Sequence, residues 1–90
     1  MATVHIPVPM RQFSANQSQV QVGPGVLSAV FSELYIACPG LKTRICDVKG
    51  AFKSHINIFV NGRDIRTLDG DTTAVHENDE VHIVPAIAGG

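Results

Sequence analysis

The sequence contains few of the residues that mark metal-binding, membrane-spanning or nucleic-acid-binding proteins. Its 90 residues include no tryptophan, one tyrosine and two cysteines, and 7 lysines and arginines nearly balance 8 aspartates and glutamates. The net charge of -1 gives no basic field for nucleic acid and no polybasic patch for a membrane surface. No apolar run approaches the roughly 20 residues of a membrane span, and the opening MATVHIPVPM lacks the charged and apolar segments of a signal peptide. We therefore expect a cytoplasmic protein that has neither nucleic acid nor a membrane as a partner.

The cysteines and histidines are too widely spaced for a metal site. Cys38 and Cys46 form no Cys-x-x-Cys motif, and no two histidines have the i, i+4 spacing of helical metal ligands. The histidines are His5, His55, His76 and His82. The sequence also shows no nucleophile–base pair and no phosphate-binding loop. It therefore predicts no metal and no catalytic residues in this chain, and hence a protein that is not an enzyme by itself.

Alternating apolar residues predict two strands at the start of the chain. In residues 3–8 every second side chain, up to Val8, is a branched apolar one. Residues 17–22 alternate as well, with Ser18, Val20 and Val22 on one face. A loop through 10–16 would join the two strands as an antiparallel hairpin. Pro7 cannot donate a hydrogen bond to a ladder, so we expect it at a bulge or where one side of the strand is unpaired.

A helical pattern follows the first hairpin. Apolar residues at positions i, i+3, i+4, i+7 and i+11 form one helical stripe. These residues are Leu27, Val30, Phe31, Leu34 and Cys38. Pro39-Gly40 ends the helix, because the residue before a proline avoids the α conformation. Residues 41–47 would add one short helical turn.

Three further strands are predicted in the second half, two of them from alternation and the middle one as the strand that returns from a turn. They are 56–60, 63–66 and 80–84. Asn61-Gly62, between the first two, is a turn dipeptide in which both residues tolerate positive φ. Asn78 suits a left-handed position just before the last strand.

This order of elements, with one main helix and about five short strands, indicates a two-layer α+β domain. The domain would span residues 1–85. Pro85 would release the last strand because it cannot donate a further ladder bond, and residues 86–90 would form a flexible C-terminal Gly-Gly tail. Five extended residues reach about 16 Å from the body of a domain.

Three segments of the second half resemble one protein family. CPGLKTRICD follows the predicted helix, INIFVNGRDIR spans the predicted hairpin, and NDEVHIVPAIAGG ends the chain. With the element order, they resemble the ubiquitin-like β-grasp sulfur-carrier proteins of the MoaD/ThiS type. The AIAGG that follows VP is most similar to the branch that serves cysteine biosynthesis. The resemblance implies a mixed sheet of about five strands packed on one main helix, with the last strand between the first and the third.

The same resemblance implies that the C-terminal carboxylate of Gly90 is the reactive group. An enzyme related to the ubiquitin-activating enzymes would adenylate it with ATP, and a sulfur donor would convert the acyl-adenylate to a thiocarboxylate. A downstream sulfur-accepting synthase would then take the sulfur. The partners would supply the catalytic groups and consume the ATP, so the carrier would bind no cofactor. The sulfur donor, the final acceptor and the oligomeric state are left open, as is trimming of the C-terminus by a processing metalloprotease.

The last residues suit the presentation of that carboxylate. Gly89 and Gly90 have no Cβ, so the walls of a narrow active site can close on their backbone. Ile87 is the one large apolar side chain of the tail and would be its anchor in a partner pocket, while Ala88 keeps the following segment narrow. Ordering such a tail costs roughly 1–2 kcal/mol per residue, which contacts with the partner must recover.

A surface on the body would add specificity to docking. In the implied sheet Phe59, His82 and Val84 point away from the core and are neighbours, so we predict that they form a docking patch for the partner. Two other functions are left open. In one, Gly90 is joined to lysines of target proteins, as in a ubiquitin-like protein modifier; in the other, the domain is a non-reactive ubiquitin-like binding module.

Overall fold

The computed structural model describes residues 1–86 and arranges strands and helices in two layers. The strands are β1 (Ala2–His5), β2 (Gln19–Val22), β3 (Gly25–Val26), β4 (Ile56–Val60), β5 (Arg63–Asp64), β6 (Ala74–Val75) and β7 (Glu80–Pro85). The helices are α1 (Leu27–Ala37) and α2 (Lys42–Ile45), and short 3-10 helices cover Val8–Phe13, Pro39–Leu41, Ile65–Thr67 and Gly70–Thr72.

The main sheet has the strand order β2-β1-β7-β4-β5. β1 and β7 run parallel, whereas the other neighbours are antiparallel, so the sheet is mixed. β3 and β6 form a separate antiparallel pair, and β3 leads directly into α1. The predicted α+β domain, with about five strands packed on one main helix, is confirmed. The position of the last strand between β1 and β4 is confirmed as well.

The core lies between α1 and the inner face of the sheet. All residues of the predicted helical stripe are buried, and Leu27 and Leu34 have no exposed surface. The buried residues of the inner face are Ala2, Val4, Val20, Val22, Ile56, Ile58, Val60, Val81 and Ile83. Because successive side chains of a strand point to opposite faces, the residues between them form the outer face of the same strands.

The first strand is shorter than the predicted segment 3–8. Val8–Phe13 is a 3-10 helix in place of the expected loop, and the side chain of Val8 is 70% exposed. Val8 lies between Pro7 and Pro9, neither of which has an N–H for a ladder. The prediction that the strand extends to Val8 is therefore wrong, and Pro7 lies beyond the end of β1.

The strand after Asn61-Gly62 is also shorter than predicted. Both turn residues have positive φ, 51° and 83°, as expected. However, β5 ends at Asp64, whose carboxylate accepts the backbone N–H of Arg66 at 2.9 Å and caps the 3-10 helix Ile65–Thr67. A local side-chain acceptor thus competes with the ladder and ends the strand.

Two other local predictions are confirmed. The short helical turn expected in residues 41–47 is α2, which follows the 3-10 helix Pro39–Leu41. Asn78 has the predicted left-handed conformation, with φ 69°. The sheet therefore differs from the predicted one mainly at the ends of its strands.

Pro85 is the last residue of β7, at the position where the strand is predicted to end, although the ladder gains one further hydrogen bond beyond this residue. It is opposite Ile56 in the ladder, and the next residue, Ala86, donates its N–H to the carbonyl of His55 at 2.6 Å. Opposite residues of antiparallel strands alternate between hydrogen-bonded and non-hydrogen-bonded pairs. Pro85 occupies a non-hydrogen-bonded position, where the missing N–H removes no bond to β4. Ala86 is therefore still bonded to the body, whereas the division into a domain of residues 1–85 and a tail of residues 86–90 stays a prediction.

Candidate functional site: the outer face of the sheet

The outer face brings the predicted docking residues together. Phe59 on β4 is directly opposite His82 on β7, and Val84 is two residues further along β7. Val84 is 43% exposed and His82 is exposed, whereas Phe59 is half-buried. The three side chains are therefore neighbours on the solvent side of the sheet, as predicted. Their role in docking stays a prediction.

A fourth residue of the outer face adjoins the predicted docking patch, which did not include it. His5 on β1 is opposite His82 in the parallel pair, and the two imidazole rings stack with centroids 4.1 Å apart and planes 3° apart. Alternation along β1 is enough to place His5 on the outer face, but only the register of β1 against β7 sets it beside His82. The outer-face cluster is defined here as His5, Phe59, His82 and Val84.

Charge lies at the edge of the outer-face cluster rather than at its centre. Glu80, two residues before His82 on β7, accepts a hydrogen bond from Nε2 of His5. Burial and the neighbouring His5 lower the pKa of His82, and the charge of Glu80 opposes this effect. At neutral pH the ring of His82 is therefore uncharged where it lies beside Phe59.

A closed polar network borders the cluster on the β5 side. Nη2 of Arg66 donates to Oδ2 of Asp64 at 2.7 Å and to Oδ1 of Asn57 at 2.5 Å. Hydrogen bonds from the side chain and then the backbone of Arg66 hold the pKa of Asp64 below its usual range. The charges of Arg66 and Asp64 thus compensate each other at the rim of the cluster.

β7 connects the outer-face cluster to the C-terminal tail. His82 and Val84 lie on its outer face, and Ala86 follows them as an exposed residue that is still bonded to His55. A strand of four residues spans about 13 Å, so a partner that holds His82 also sets the point from which the tail starts. The tail residues predicted to present and carry the reactive carboxylate lie outside the described part of the chain. They are Ile87, Ala88, Gly89 and Gly90.

A cavity of about 510 Å³ lies on the helix side of the sheet, between α1 and the segment that follows α2. Its wall includes Tyr35, whose hydroxyl is 3.1 Å from Sγ of Cys46. Burial above all, and then the contact with Cys46, raise the pKa of Tyr35 far above its usual range. The phenol is therefore a neutral group and not a base that could activate the thiol. Cys38 and Cys46 are both buried free cysteines.

Within residues 1–86, no group of three or more histidine, cysteine, aspartate or glutamate side chains is placed to hold a metal ion. Over the same range, none of the helices has both the length and the apolar character needed to cross a membrane.

A mixed sheet with a parallel pair at its centre, covered on one face by a single long helix, defines a ubiquitin-like β-grasp protein. A crystal structure of the Amycolatopsis orientalis BexX/CysO complex contains a similar chain, with a TM-score of 0.92, 27% identity and coverage of 100% of both chains. The crystal structure of CysO from Mycobacterium tuberculosis has a TM-score of 0.89 and 34% identity, over 97% of this chain and 100% of that chain.

Sequence comparison narrows the class to one family. The ThiS family model matches residues 4–90, and the chain belongs to this family. The sulfur carrier protein CysO of Mycobacterium tuberculosis is 38% identical over 90 residues, covering 98% of this chain and 97% of the relative. Small archaeal modifier protein 3 of Haloferax volcanii is 41% identical over 51 residues, which are 57% of this chain and 54% of that protein. The resemblance to MoaD/ThiS-type sulfur carriers is thus confirmed.

Proposed function

We propose that this protein is a sulfur carrier whose Gly90 carboxylate is adenylated, converted to a thiocarboxylate and used as a sulfur donor in biosynthesis. The observation that carries the proposal is the family match, which runs from residue 4 to Gly90 and so includes both the domain and the two final glycines. The outer-face cluster and the strand that leads from it to Ala86 support the proposal, because a carrier needs a docking surface and an arm that starts near it.

Adenylation is required because a carboxylate is a poor electrophile. Resonance stabilises it, and oxide is not a leaving group. The activating enzyme transfers AMP from ATP to the carboxylate and releases pyrophosphate, and a sulfur nucleophile then displaces AMP from the terminal carbon. The thiocarboxylate that results is anionic and soft, so it attacks an electrophile in a second enzyme as a thiolate would.

Two partner proteins follow from this chemistry. One is an adenylating enzyme related to the ubiquitin-activating enzymes, and the other is a sulfur-accepting synthase. The complex of CysO with BexX in Amycolatopsis orientalis supports a contact of this kind between a carrier and a second protein. These partners hold the catalytic groups and consume the ATP, so the carrier is their co-substrate and binds no cofactor. The AIAGG ending favours cysteine biosynthesis as the pathway.

Docking would begin on the body of the carrier. Phe59 would be the central apolar contact, since it lies on the sheet with one side open to solvent. His82 and Val84 would extend this contact along β7 towards the tail. Aromatic anchors at the centre of an interface usually account for a large part of its binding energy.

The tail would then enter the active site of the partner. Ile87 would fill an apolar pocket, and Ala88 and Gly89 would pass through a narrow channel that larger side chains would block. Gly90 would place its carboxylate next to the α-phosphate of ATP. Glycine at the last two positions leaves the terminal carbon open to attack from either face.

Mass spectrometry of the C-terminal peptide tests this proposal. The carrier is incubated with the adenylating enzyme of the same organism, ATP and a sulfur source. Exchange of oxygen for sulfur adds nearly the same mass as oxidation of Met1 or Met10, so the shift has to be mapped to the peptide that contains Gly90 and confirmed with a thiol-alkylating reagent. A variant that lacks Gly90 is the control and should stay unmodified. If an enzyme active on another carrier leaves Gly90 of this chain unchanged, the proposal is rejected.

A protein modifier is the second candidate, and the partial similarity to small archaeal modifier protein 3 favours it. Both functions share the adenylation step, so the fate of Gly90 distinguishes them. A modifier would leave Gly90 in isopeptide bonds to lysines of other proteins, whereas a carrier would end as a thiocarboxylate. A non-reactive binding module would bind its partners equally well after deletion of Gly90.

A further inference from the structure

We propose that the stacked imidazoles of His5 and His82, together with Glu80, make the docking surface selective for an uncharged, apolar patch on the adenylating enzyme and weaken docking when His82 is protonated. This inference rests on the proposed function, because it concerns the contact that precedes adenylation. His82 and Phe59 would touch the partner. His5 and Glu80 would be positioning residues that hold the ring of His82 and control its charge.

The geometry of the two rings carries the inference. Their planes are 3° apart and their centroids 4.1 Å apart, so one face of His82 is covered by His5 and cannot reorient without breaking the stack. Two protonated rings at this separation would repel each other. Glu80 accepts from Nε2 of His5, so this carboxylate orients the ring that covers His82, and its negative charge favours a proton on His82.

The other charged groups near the two histidine rings are already paired or bonded elsewhere. Arg11 lines a hollow of about 380 Å³ beside the two rings and donates from Nε to the carbonyl of Ile6 at 3.1 Å. On the other side, Asp64 and Arg66 are paired with each other. The remaining neighbours on the outer face are uncharged. They are Thr3, Gln19, Gln21, Asn57, Phe59 and Val84.

The chemistry of the partner follows from the resulting surface. Between the charged edges, the row from His82 to Phe59 and Val84 presents a neutral ring, a phenyl ring and a branched aliphatic side chain. An apolar patch on the partner can cover these groups without burying an unpaired charge. A protonated His82 under the same patch would be a cation removed from water, which costs binding free energy. Docking should therefore be tight at neutral pH and weaker at the acidic end of the physiological range.

An NMR titration of the carrier alone tests the coupling between the rings. The ring proton signal of His82 is followed with pH in the wild type, His5→Gln and Glu80→Gln. Loss of the neighbouring imidazole should raise the midpoint for His82, whereas loss of the carboxylate should lower it. A purely structural role for His5 and Glu80 would not move the two midpoints in opposite directions, and unchanged midpoints would overturn the proposal.

A binding titration tests the consequence for docking. The dissociation constant for the adenylating enzyme is measured from pH 5 to pH 8 with wild-type carrier and with His82→Phe, which keeps a flat apolar ring but takes up no proton. Wild-type affinity should fall below the His82 midpoint by up to about tenfold per pH unit, the limit for one linked proton. The His82→Phe variant should lose this slope.

The outcomes separate this inference from the proposed function. A slope that persists in His82→Phe would belong to the partner and would overturn the inference while docking itself stands. Absence of binding at every pH would reject the proposed docking, and the NMR midpoints would still report on the imidazole pair. Tight binding of the wild-type carrier that does not change with pH would also overturn the inference, because a protonated His82 would then be tolerated in the interface.

Discussion

The inner and outer faces of the central sheet are made by the same strands but differ in composition and exposure. On β7 the inward side chains of Val81 and Ile83 are 0% and 3% exposed, whereas the outward Val84 is 43% exposed. On β4 the inward Ile58 is 1% exposed, whereas the outward Phe59 is only half-buried. A slip of one residue in register would exchange the two faces. The inner face therefore specifies the fold, which leaves the outer face free to specify a partner.

Truncation of Ile58 on the inner face should have the largest effect on stability. Ile58→Ala removes a fully buried side chain between the sheet and α1 and leaves a cavity that the surroundings fill only in part. We expect the free energy of unfolding to fall by about 2–5 kcal/mol, measured by urea denaturation with an unchanged m-value. Ile36, which is 82% exposed on α1, provides the control: Ile36→Ala should change the free energy by less than about 0.5 kcal/mol. Equal losses of stability in both variants would show that the burial of Ile58 does not make it more important for the fold than an exposed residue.

The inner face is the part that the sequence predicts well. Its signals are local: period two in the strands and a helical stripe in α1. Each apolar residue of these patterns has to be buried somewhere, so the pattern alone identifies Leu27, Leu34 and Ile58 as core. The ends of the strands are predicted less well: Val8 shows alternation but lies beyond β1, because two flanking prolines end the strand before the alternation ends.

The outer face is predicted only in part, because its arrangement depends on strands that are distant in the chain. Alternation places His5, Phe59 and His82 outward, and the family resemblance supplies the strand order. The stack of the two histidines requires the register of β1 against β7, which neither pattern contains. For the same reason the hydrogen bond of Ala86 beyond Pro85 could not be predicted: whether a strand residue needs its N–H depends on which residues of the partner strand it bonds.

Substitution of Phe59 should weaken docking more than it lowers stability, whereas substitution of Ile58 should mainly lower stability. Phe59→Ser removes the central apolar group of the outer-face cluster but leaves the inner face intact. We expect affinity for the adenylating enzyme to fall at least tenfold, or by about 1.4 kcal/mol, and stability to fall less than in Ile58→Ala. Steady-state adenylation kinetics and urea denaturation measure the two effects.

The control for Phe59→Ser makes the same kind of change away from the cluster. Ile36→Ser replaces an exposed apolar residue of α1 by serine and should leave docking unchanged. If it weakens adenylation as much as Phe59→Ser does, the enzyme does not distinguish the outer face of the sheet from the surface of the helix, and the assignment of the docking surface is wrong.

The turns between strands belong to neither face of the sheet. Substitution of Asp79 measures how much one of them contributes to stability. Its Oδ1 accepts from Nδ2 of Asn61 at 2.9 Å, and its Oδ2 accepts from the backbone N–H of His76 at 2.8 Å. The carboxylate therefore ties the β4–β5 turn to the start of β7. Asp79→Asn replaces one acceptor by a donor, so we expect a loss of about 1 kcal/mol at pH 7, measured by urea denaturation.

The pH dependence of this loss has a definite sign. The hydrogen bond from Asn61, and then that from His76, lower the pKa of Asp79 below its usual range. A carboxylate whose pKa is lower in the folded state contributes stability that is complete above its unfolded pKa, near 4, and is lost as the pH falls through the folded pKa. The difference between wild type and Asp79→Asn should therefore shrink below about pH 4. Asp71→Asn, the same charge change on an exposed side chain, should cost little at either pH; a similar loss there would assign the effect to net charge.

Pro85 is the last residue of β7. Its replacement should have a smaller effect on stability than any of the substitutions above, the controls apart. The bond from Ala86 to the carbonyl of His55, at 2.6 Å, puts Pro85 at a position where β4 receives no N–H. Pro85→Ala should therefore keep this bond and lower the free energy of unfolding by less than about 1 kcal/mol, mainly through the greater freedom of the unfolded chain. Amide hydrogen exchange at Ala86 measures the bond directly. Slow exchange in both proteins would show that the ladder sets the start of the tail, whereas fast exchange only in Pro85→Ala would show that the proline ring itself holds the end of β7.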